Sequence, residues 1–142
     1  MAALCLAHAH SLAAMVARLT VASEKWSNGH EIASEVIERS DKAISDSLAL
    51  ADRDADAFDS VMTAYRTPKN EGFRESRRQA IREATIGAAI VPLETLVSAS
   101  ELLHKLLEMS RECNSNALTD LASSAELTHT AARMAEMNVR IN

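Results

Sequence analysis

The sequence predicts an all-α protein, a bundle of four to five long helices of unequal length that forms one domain over residues 1–142. Only three glycines and two prolines interrupt the chain, so long stretches of helix-forming residues remain. Apolar residues recur at helical spacing, and no segment shows the alternation of a strand. Aromatic residues make up only 3% of the chain, which predicts a core of small side chains that pack closely but bury little area each. We therefore expect a second subunit to cover further apolar surface in a homodimer.

The first helix is predicted from about Ala2 to Trp26, where Ser27-Asn28-Gly29 forms a stop signal. Its apolar opening carries no formal charge before Arg18, whereas a signal peptide has basic residues ahead of its apolar run. Two histidines and a serine interrupt the run, which is also short for a membrane span. We expect a buried helix and no membrane insertion.

The second helix is predicted to begin at Glu31 and to carry a stripe of apolar residues at steps of three, four and seven. The members of this stripe are Ile37, Ile44, Leu48, Ala51, Ala55, Phe58, Met62 and Tyr65. Pro68 ends the helix because a proline disfavours helical geometry at the residue before it, here Thr67, and Gly72 loosens the backbone further.

The third helix is predicted from near Phe73 to about Arg111, with Pro92 inside it. Proline has no backbone N–H and clashes with the preceding turn, so we expect a kink or a break between Ala88 and Pro92.

The last helix is predicted from Ala117 toward Val139. The preceding Asn114-Ser115-Asn116 offers good N-cap residues, and the Ala- and Ser-rich sequence suits a tightly packed position.

Charge and motif content exclude several classes of function. The net charge of -5 and the pI near 5.5 argue against a nucleic-acid partner, which requires a basic surface. Cys5 and Cys113 lack CxxC spacing, so we expect free thiols in a reducing cytoplasm. No HxxxH or HExxH pattern indicates a metal site, and neither a P-loop nor a G-x-S-x-G elbow is present.

The acidic segment around Asp52, Asp54 and Asp56 has the alternate spacing of an EF-hand loop. That interpretation fails because the required glycine and final carboxylate are replaced by Ala57 and Thr63. A solvated helix face is the simpler interpretation of these carboxylates.

Two further polar segments have residues that do not by themselves decide a functional role. The segment from Asn114 to Asp120 suits a helix cap and equally a place that holds a polar heterocycle. The terminal segment from Asn138 to Asn142 suits a frayed, exposed end.

Several segments together resemble a known family. They are Ala14 through Thr20, Asp54 through Phe58 with Val61-Met62 and Pro68-Lys69, Val91-Pro92-Leu93, Asn114 through Asp120, and Asn138 through Asn142. In this order they resemble the first helix, the long second helix and its loop, the kinked helix, the Asn-rich cap and the "NVRIN" ending of the cyclodeaminase/cyclohydrolase family. This family of one-carbon folate enzymes includes the deaminase half of formiminotransferase-cyclodeaminase and a bacterial methenyltetrahydrofolate cyclohydrolase.

The resemblance has two departures. The family's Gly-rich "GGGS" loop has no counterpart ahead of Met1, and family chains continue past the point matched by Asn142. A fragment, a naturally shortened member and a decayed copy of a family gene all fit these departures. The absent loop bears on folate affinity and turnover more than on the fold, because glycine-rich backbone suits the close approach of a ligand.

The resemblance implies a cytoplasmic, all-helical homodimer that acts on a tetrahydrofolate one-carbon adduct without a metal or redox cofactor. Both family reactions stay open, the lyase reaction of a formimidoyltetrahydrofolate cyclodeaminase and the hydrolase reaction of a methenyltetrahydrofolate cyclohydrolase. Each needs a proton acceptor and a proton donor, tasks that a carboxylate and a nearby lysine or histidine can share.

The resemblance also implies roles for individual residues. Asp120 is the candidate for proton transfer or for anchoring the pterin, with Lys69 and Asp56 as further catalytic candidates. The candidates for substrate binding are Asp54, Asn114, Asn116, Asn138 and Arg140. Among these the cation Arg140, together with Lys69, suits the acidic p-aminobenzoyl-glutamate tail of the folate. The alternative from another class is a non-catalytic helical dimer or interaction module that descends from this family.

Overall fold

The computed structural model describes all of residues 1–142. It contains four α-helices: α1 (Ala2–Val21), α2 (His30–Arg66), α3 (Arg74–Met109) and α4 (Leu118–Ile141). Each connection contains a short 3₁₀ helix, over Glu24–Gly29, Glu71–Phe73 and Ser115–Ala117. No strand is present, so the predicted all-α class is confirmed.

The four helices form a bundle in which each helix packs against its neighbours in the chain. α1 packs against α2 and α4, α3 packs against α2 and α4, and α1 and α3 lie diagonally across the core. Short connections between packed neighbours produce an antiparallel four-helix arrangement.

Small side chains fill most of the core, as the composition predicts. Alanine supplies more than half of the buried apolar residues, and the largest fully buried side chains include Leu6, Val16, Val36 and Met109. A buried hydroxyl also joins two helices, since Ser124 Oγ of α4 donates to a backbone carbonyl of α1 at 2.8 Å. Close helix contact through small residues thus replaces the area that aromatic side chains would bury.

α2 and α3 continue beyond the ends of α1 and α4. Leu50 and Val91 pack against Ala3 near the start of α1, and the end of α4 contacts Ala88. Between residues 51 and 87 only Ala64 is buried. We call this two-helix extension, residues 51–87, the arm; its helices extend about 24 Å past the bundle at 1.5 Å per residue.

Two segments, Ala2–Val21 and Glu71–Met109, are long and apolar enough to cross a membrane by length and composition. α1 is also a core helix, with buried residues along its whole length. Burial inside the bundle accounts for the apolar character of α1, as the sequence predicted.

The predicted end of the first helix at Trp26 is wrong. α1 ends at Val21, Ser23 is extended, and Trp26 has non-helical dihedral angles within the 3₁₀ segment. The segment brings Gly29 against the backbone of Glu112, where an added Cβ would lie 2.2 Å from the carbonyl oxygen. This close approach explains why Gly29 occupies the turn.

Pro92 does not divide the third helix, because α3 is continuous from Arg74 to Met109. The predicted break is therefore wrong, and a kink stays a prediction. Pro92 lacks the N–H that would have bonded to the carbonyl of Ala88, and Asn142 Nδ2 donates to that oxygen instead at 3.3 Å. The end of α4 thus supplies the hydrogen bond that the proline removes from α3.

The apolar stripe predicted on the second helix is not its core face. α2 buries a neighbouring face that includes Ala33, Val36, Ser40, Ser47 and Leu50. Of the predicted stripe, the first two isoleucines are half-buried and the members on the arm, from Phe58 to Tyr65, are exposed.

Candidate functional site

The predicted site residues lie on three parts of the chain. Asn114, Asn116 and Asp120 lie at the end of the bundle where α3 connects to α4. Asn138 and Arg140 lie at the opposite end of α4, and the remaining three lie on the arm.

Asn114 is held entirely by the protein. Its backbone N–H donates to Thr20 Oγ1 at 3.0 Å, and its Nδ2 donates to the carbonyl of Leu19 at 3.2 Å. Its Oδ1 accepts from the backbone N–H of Asn116 at 3.0 Å, which caps the short 3₁₀ helix before α4. The geometry therefore gives Asn114 a structural task, joining the end of α1 to the start of α4.

Asn116 and Asp120 remain accessible beside this cap. Asn116 is exposed, and Asp120 is half-buried in the first turn of α4, where the helix dipole favours a carboxylate. Neither side chain bonds to another protein group. A carboxylate and an amide with free hydrogen-bonding capacity are therefore available at this end of the bundle.

At the other end of α4, the side chain of Arg140 forms an ion pair with Glu136 at 2.7 Å. Asn138 is half-buried, and its carbonyl accepts from Asn142. α4 is unbroken between Asp120 and Asn138, so the two lie about 27 Å apart along the axis. They cannot contact the same end of a ligand within one chain.

On the arm, Asp54 is half-buried, and Asp56 and Lys69 are exposed without an ion pair. Asp56 lies about 15 Å along α2 from the helix end at Arg66, and Lys69 follows in the connection at the tip. The solvated-face interpretation holds for Asp52 and Asp56, which are exposed. A single chain thus does not bring the three groups of predicted residues together.

The structure contains a polar cavity that the sequence did not predict. It has a volume of about 310 Å³ and lies between α1, α2 and α3. Its polar and charged lining residues are His10, Arg39, Ser40, Lys42, Asp46, Ser98, Glu101 and Lys105. The available signal was a histidine within an Ala-rich helix, but its partner Ser40 is 30 residues away in the sequence and is found only by folding.

His10 is the buried polar group of this cavity. Its Nδ1 lies 3.1 Å from Ser40 Oγ, and its Nε2 has no hydrogen-bond partner. Burial, and to a lesser degree the positive charge of Arg39, lowers the pKa of His10 from 6.5 to about 4. The imidazole is therefore neutral at physiological pH.

The other charged groups of the cavity divide into paired and unpaired ones. Arg39 pairs with Glu101 at 2.5 Å, and Lys105 bridges two glutamates outside the cavity at 2.9 Å each. Lys42 and Asp46 form no ion pair. One cation and one carboxylate of the lining are thus free to meet a ligand.

No group of three or more His, Cys, Asp or Glu side chains is placed to hold a metal ion. Cys5 and Cys113 are unpaired, and burial raises the pKa of the Cys113 thiol. The candidate sites contain carboxylates, amides, cations and the neutral His10.

Comparisons with known proteins agree with the helical architecture and the segments described above. The sequence model of the family described as formiminotransferase-cyclodeaminase matches residues 1–142. The chain is 29% identical to a methenyltetrahydrofolate cyclohydrolase of Methylorubrum extorquens over 93% of its own length and 64% of that protein. It is 30% identical to the formimidoyltransferase-cyclodeaminase of Rattus norvegicus, again over 93% of this chain but only 25% of the relative.

The crystal structure of a formiminotetrahydrofolate cyclodeaminase from Thermotoga maritima has the same fold. It superposes with a TM-score of 0.86 and 27% sequence identity, over 99% of this chain and 66% of that chain. The chain thus spans about two thirds of the length of the bacterial relatives that it matches.

Proposed function

Because the chain belongs to the formiminotransferase-cyclodeaminase family, we propose that it acts on a one-carbon unit carried between N5 and N10 of tetrahydrofolate. The observation that carries the proposal is the family match over all of residues 1–142, and the fold shared with a cyclodeaminase supports it. Deaminase and hydrolase chemistry both fit this proposal.

The two reactions share a tetrahedral carbon between two nitrogens. In the deaminase reaction, N10 of 5-formiminotetrahydrofolate attacks the amidine carbon, ammonia leaves, and 5,10-methenyltetrahydrofolate forms. In the hydrolase reaction, water attacks the methenyl carbon, and the ring opens to 10-formyltetrahydrofolate. Either reaction needs one group that accepts a proton from the attacking atom and one that donates a proton to the leaving nitrogen.

We assign these proton transfers to Asp120, Asp56 and Lys69, and we propose no metal or redox cofactor. All three side chains are accessible and free of ion pairs, so they are available to a substrate. Asn116 and Asn138 are assigned to folate binding on the same ground of accessibility. Arg140 keeps a free face beside its pairing with Glu136, since its side chain is 77% exposed.

We further propose that two chains build the site together as a homodimer. Within one chain the assigned residues lie at opposite ends of α4 and on the arm. α3 presents an exposed apolar stripe at steps of four, three and four residues, which lie on one helix face. Its members are Ile86, Ile90, Leu93 and Val97, each about half exposed. An apolar stripe of this kind suits a symmetric helix–helix interface.

The experiment measures turnover and binding separately. Wild-type protein receives 5-formiminotetrahydrofolate or 5,10-methenyltetrahydrofolate, and the absorbance of the methenyl form is followed in both cases. Asp120→Asn and Lys69→Gln should each lower kcat by about 100-fold or more, as expected for loss of a proton-transfer group. Asp59→Asn, which changes an exposed and unassigned carboxylate on the same arm, should leave kcat unchanged.

The alternative function, a non-catalytic interaction module, is favoured by one observation: no single chain assembles a compact site from the assigned residues. It predicts a folded dimer that neither binds tetrahydrofolate in calorimetry nor turns over either substrate. Binding or turnover by the wild type, reduced by Asp120→Asn, would exclude it.

A further inference from the structure

The tip of the arm, residues 66–82, is a basic surface. It contains six of the fifteen lysines and arginines but only two carboxylates, a net charge of +4 in a chain whose total is -5. The cations are Arg66, Lys69, Arg74, Arg77, Arg78 and Arg82. None of them forms an ion pair, and all except the half-buried Arg77 are exposed. The chain itself therefore supplies no partner for the charge of the arm tip.

The opposite end of the molecule has the opposite charge. It comprises the end of α1, the first part of α2, the end of α3 and the start of α4, over residues 18–41 and 101–126. These residues include ten carboxylates and five cations, a net charge of -5, and we call this part the acidic end. Its ion pairs are all internal, and two cations, Lys25 and Arg111, stay unpaired. Six carboxylates also stay unpaired: Glu24, Glu31, Glu38, Glu112, Asp120 and Glu126.

The longest stretch of α3 separates these two surfaces. The helix runs from Arg74 in the arm tip to Met109 in the acidic end, about 54 Å at 1.5 Å per residue. The molecule is thus positive at one end and negative at the other. Two copies attract each other when they lie antiparallel and bring unlike ends together, and they repel each other at the arm tips when they lie parallel.

The apolar stripe of α3 lies midway between the two charged surfaces. Its middle is near Pro92, about 27 Å from the start of α3 and nearly as far from its end. A twofold axis through the stripe would bring the arm tip of each chain to the level of the other chain's acidic end. The arm tip is continuous with the stripe, because Arg78 and Arg82 line one surface cleft together with Ile86.

The four aspartates between residues 52 and 59 are a less suitable partner for the arm tip. Arg53, which lies among them, forms an ion pair with Glu94 of α3 at 2.6 Å. This part of α2 is therefore at the level of the stripe, close to the twofold axis. In an antiparallel pair the arm tip of the second chain lies well beyond it, at the acidic end.

We propose that the arm tip of one chain docks on the acidic end of a second copy, and that this attraction fixes the two chains antiparallel. The docking rests on the homodimer of the proposed function and adds what the apolar stripe leaves unspecified, the orientation of the chains and the surface that meets the arm tip. A twofold axis makes the contact twice in each dimer. The charged side chains are exposed, so salt should weaken the attraction.

The test measures the dissociation constant of the dimer by sedimentation of the full chain without folate. Between about 50 mM and 500 mM sodium chloride the constant should rise by about tenfold. At low salt, Arg78→Glu/Arg82→Glu and Glu112→Lys/Glu126→Lys should each raise it by about tenfold or more, because each pair of changes removes most of the attraction. All four side chains are exposed and unpaired, so circular dichroism should show the helices intact.

A matched control separates the position of a charge from its amount. Arg133→Glu reverses one exposed charge on α4 outside both surfaces. It should change the dissociation constant by less than about twofold, whereas Arg82→Glu alone should weaken the dimer more.

Mixing the two double variants tests the pairing of the surfaces directly. In a heterodimer, the unchanged arm tip of one chain meets the unchanged acidic end of the other, so one of the two contacts keeps its wild-type charge. The heterodimer should therefore form more tightly than either variant associates with itself.

Five results would overturn the proposal. Unchanged affinity of Arg78→Glu/Arg82→Glu would show that the arm tip does not meet the second copy, and tighter association of this variant would indicate parallel chains. Unchanged affinity of Glu112→Lys/Glu126→Lys would place the arm tip on another surface, such as the aspartates of the arm. A heterodimer no tighter than the homodimers would contradict the pairing. In these four cases the homodimer persists, whereas a monomeric wild type would also remove the homodimer, and turnover of a folate enters none of them.

Discussion

Acid should destabilise this fold through His10, and the size of the effect follows from its pKa. The imidazole has a pKa of about 4 in the folded protein and 6.5 as its ordinary value. Between these values the unfolded chain binds a proton that the folded chain excludes, so the free energy of unfolding falls as the pH is lowered. Above pH 6.5 the ring is neutral in both states, and the stability is fully present.

The structure explains why protonation of His10 lowers the free energy of unfolding. Protonation would place a cation on a side chain that is 4% exposed and lies in a cavity with Arg39, Lys42 and Lys105. Asp46 and Glu101 also line the cavity, but Glu101 is committed to Arg39. Linkage between the two pKa values predicts a loss of about 2 kcal/mol from pH 7 to pH 5, and about 3 kcal/mol once the pH falls below 4.

The assay is urea unfolding of the wild type and of His10→Gln at a series of pH values, followed by circular dichroism. The glutamine variant has no titrating group in the cavity wall of α1, so its stability between pH 7 and pH 5 should fall by about 2 kcal/mol less than that of the wild type. His8→Gln, an exposed change two residues away, leaves the contribution of His10 in place and serves as the control. Parallel pH profiles for wild type and His10→Gln would refute the reasoning.

Two further predictions test how the helices are joined. Gly29→Ala should lower the free energy of unfolding by about 1–3 kcal/mol, because its Cβ would meet a backbone carbonyl at 2.2 Å. Gly87→Ala, with open space around its Cβ inside α3, should raise it by roughly 0.5–1 kcal/mol, and chemical denaturation compares the two; equal effects would contradict the packing argument. Asn142→Ala should cost about 1 kcal/mol in the wild type and less in Pro92→Ala, whose restored N–H bonds to the Ala88 carbonyl. If Asn142→Ala costs the same in Pro92→Ala as in the wild type, Asn142 does not replace the hydrogen bond that Pro92 removes.

The sequence could predict the helices because their signals are local. Sparse glycine and proline, helical spacing and the Asn-rich cap predicted the class and most boundaries within a few residues. The end of α1 was missed, and its contacts are not local, since Leu19 and Thr20 bond to Asn114, which is more than 90 positions away. Pro92 was expected to allow a break because the sequence does not show that Asn142 would replace its hydrogen bond.

The sequence likewise predicted the local features of the candidate site and missed those that depend on contacts between helices. Asp120 and Asn138 lie in one predicted helix, and the unbroken α4 places them about 27 Å apart along its axis. The binding of Asn114 to the end of α1 could not be predicted, because its partners Leu19 and Thr20 lie on another helix. The cavity beside His10 was missed for the same reason, since three helices contribute to its wall.

In the homodimer that we propose, the geometry of α3 would let two chains complete the site. A twofold axis through the apolar stripe would pass near Pro92 and place the two α3 helices antiparallel. From Pro92 to the start of α3 at Arg74 is about 27 Å, and from Pro92 to its end at Met109 is about 26 Å. In the proposed dimer, these nearly equal lengths would place the arm tip of one chain, with Lys69, at the level where α4 begins in the other, with Asp120.

A site shared by two chains predicts a result that a site built within one chain does not predict. Asp120→Asn and Lys69→Gln are each expected to be inactive alone, but in a mixed dimer one of the two sites receives an intact Asp120 and an intact Lys69 from different chains. Equal mixing after co-refolding forms mixed dimers in half of the population, so the activity should recover to about a quarter of the wild-type rate. Adding Leu93→Glu to both variants should abolish the recovery, because it places a charge in the exposed apolar stripe that we propose as the dimer interface. If the two inactive variants form mixed dimers, as light scattering of differently tagged chains can show, and yet recover no activity, the shared site is wrong.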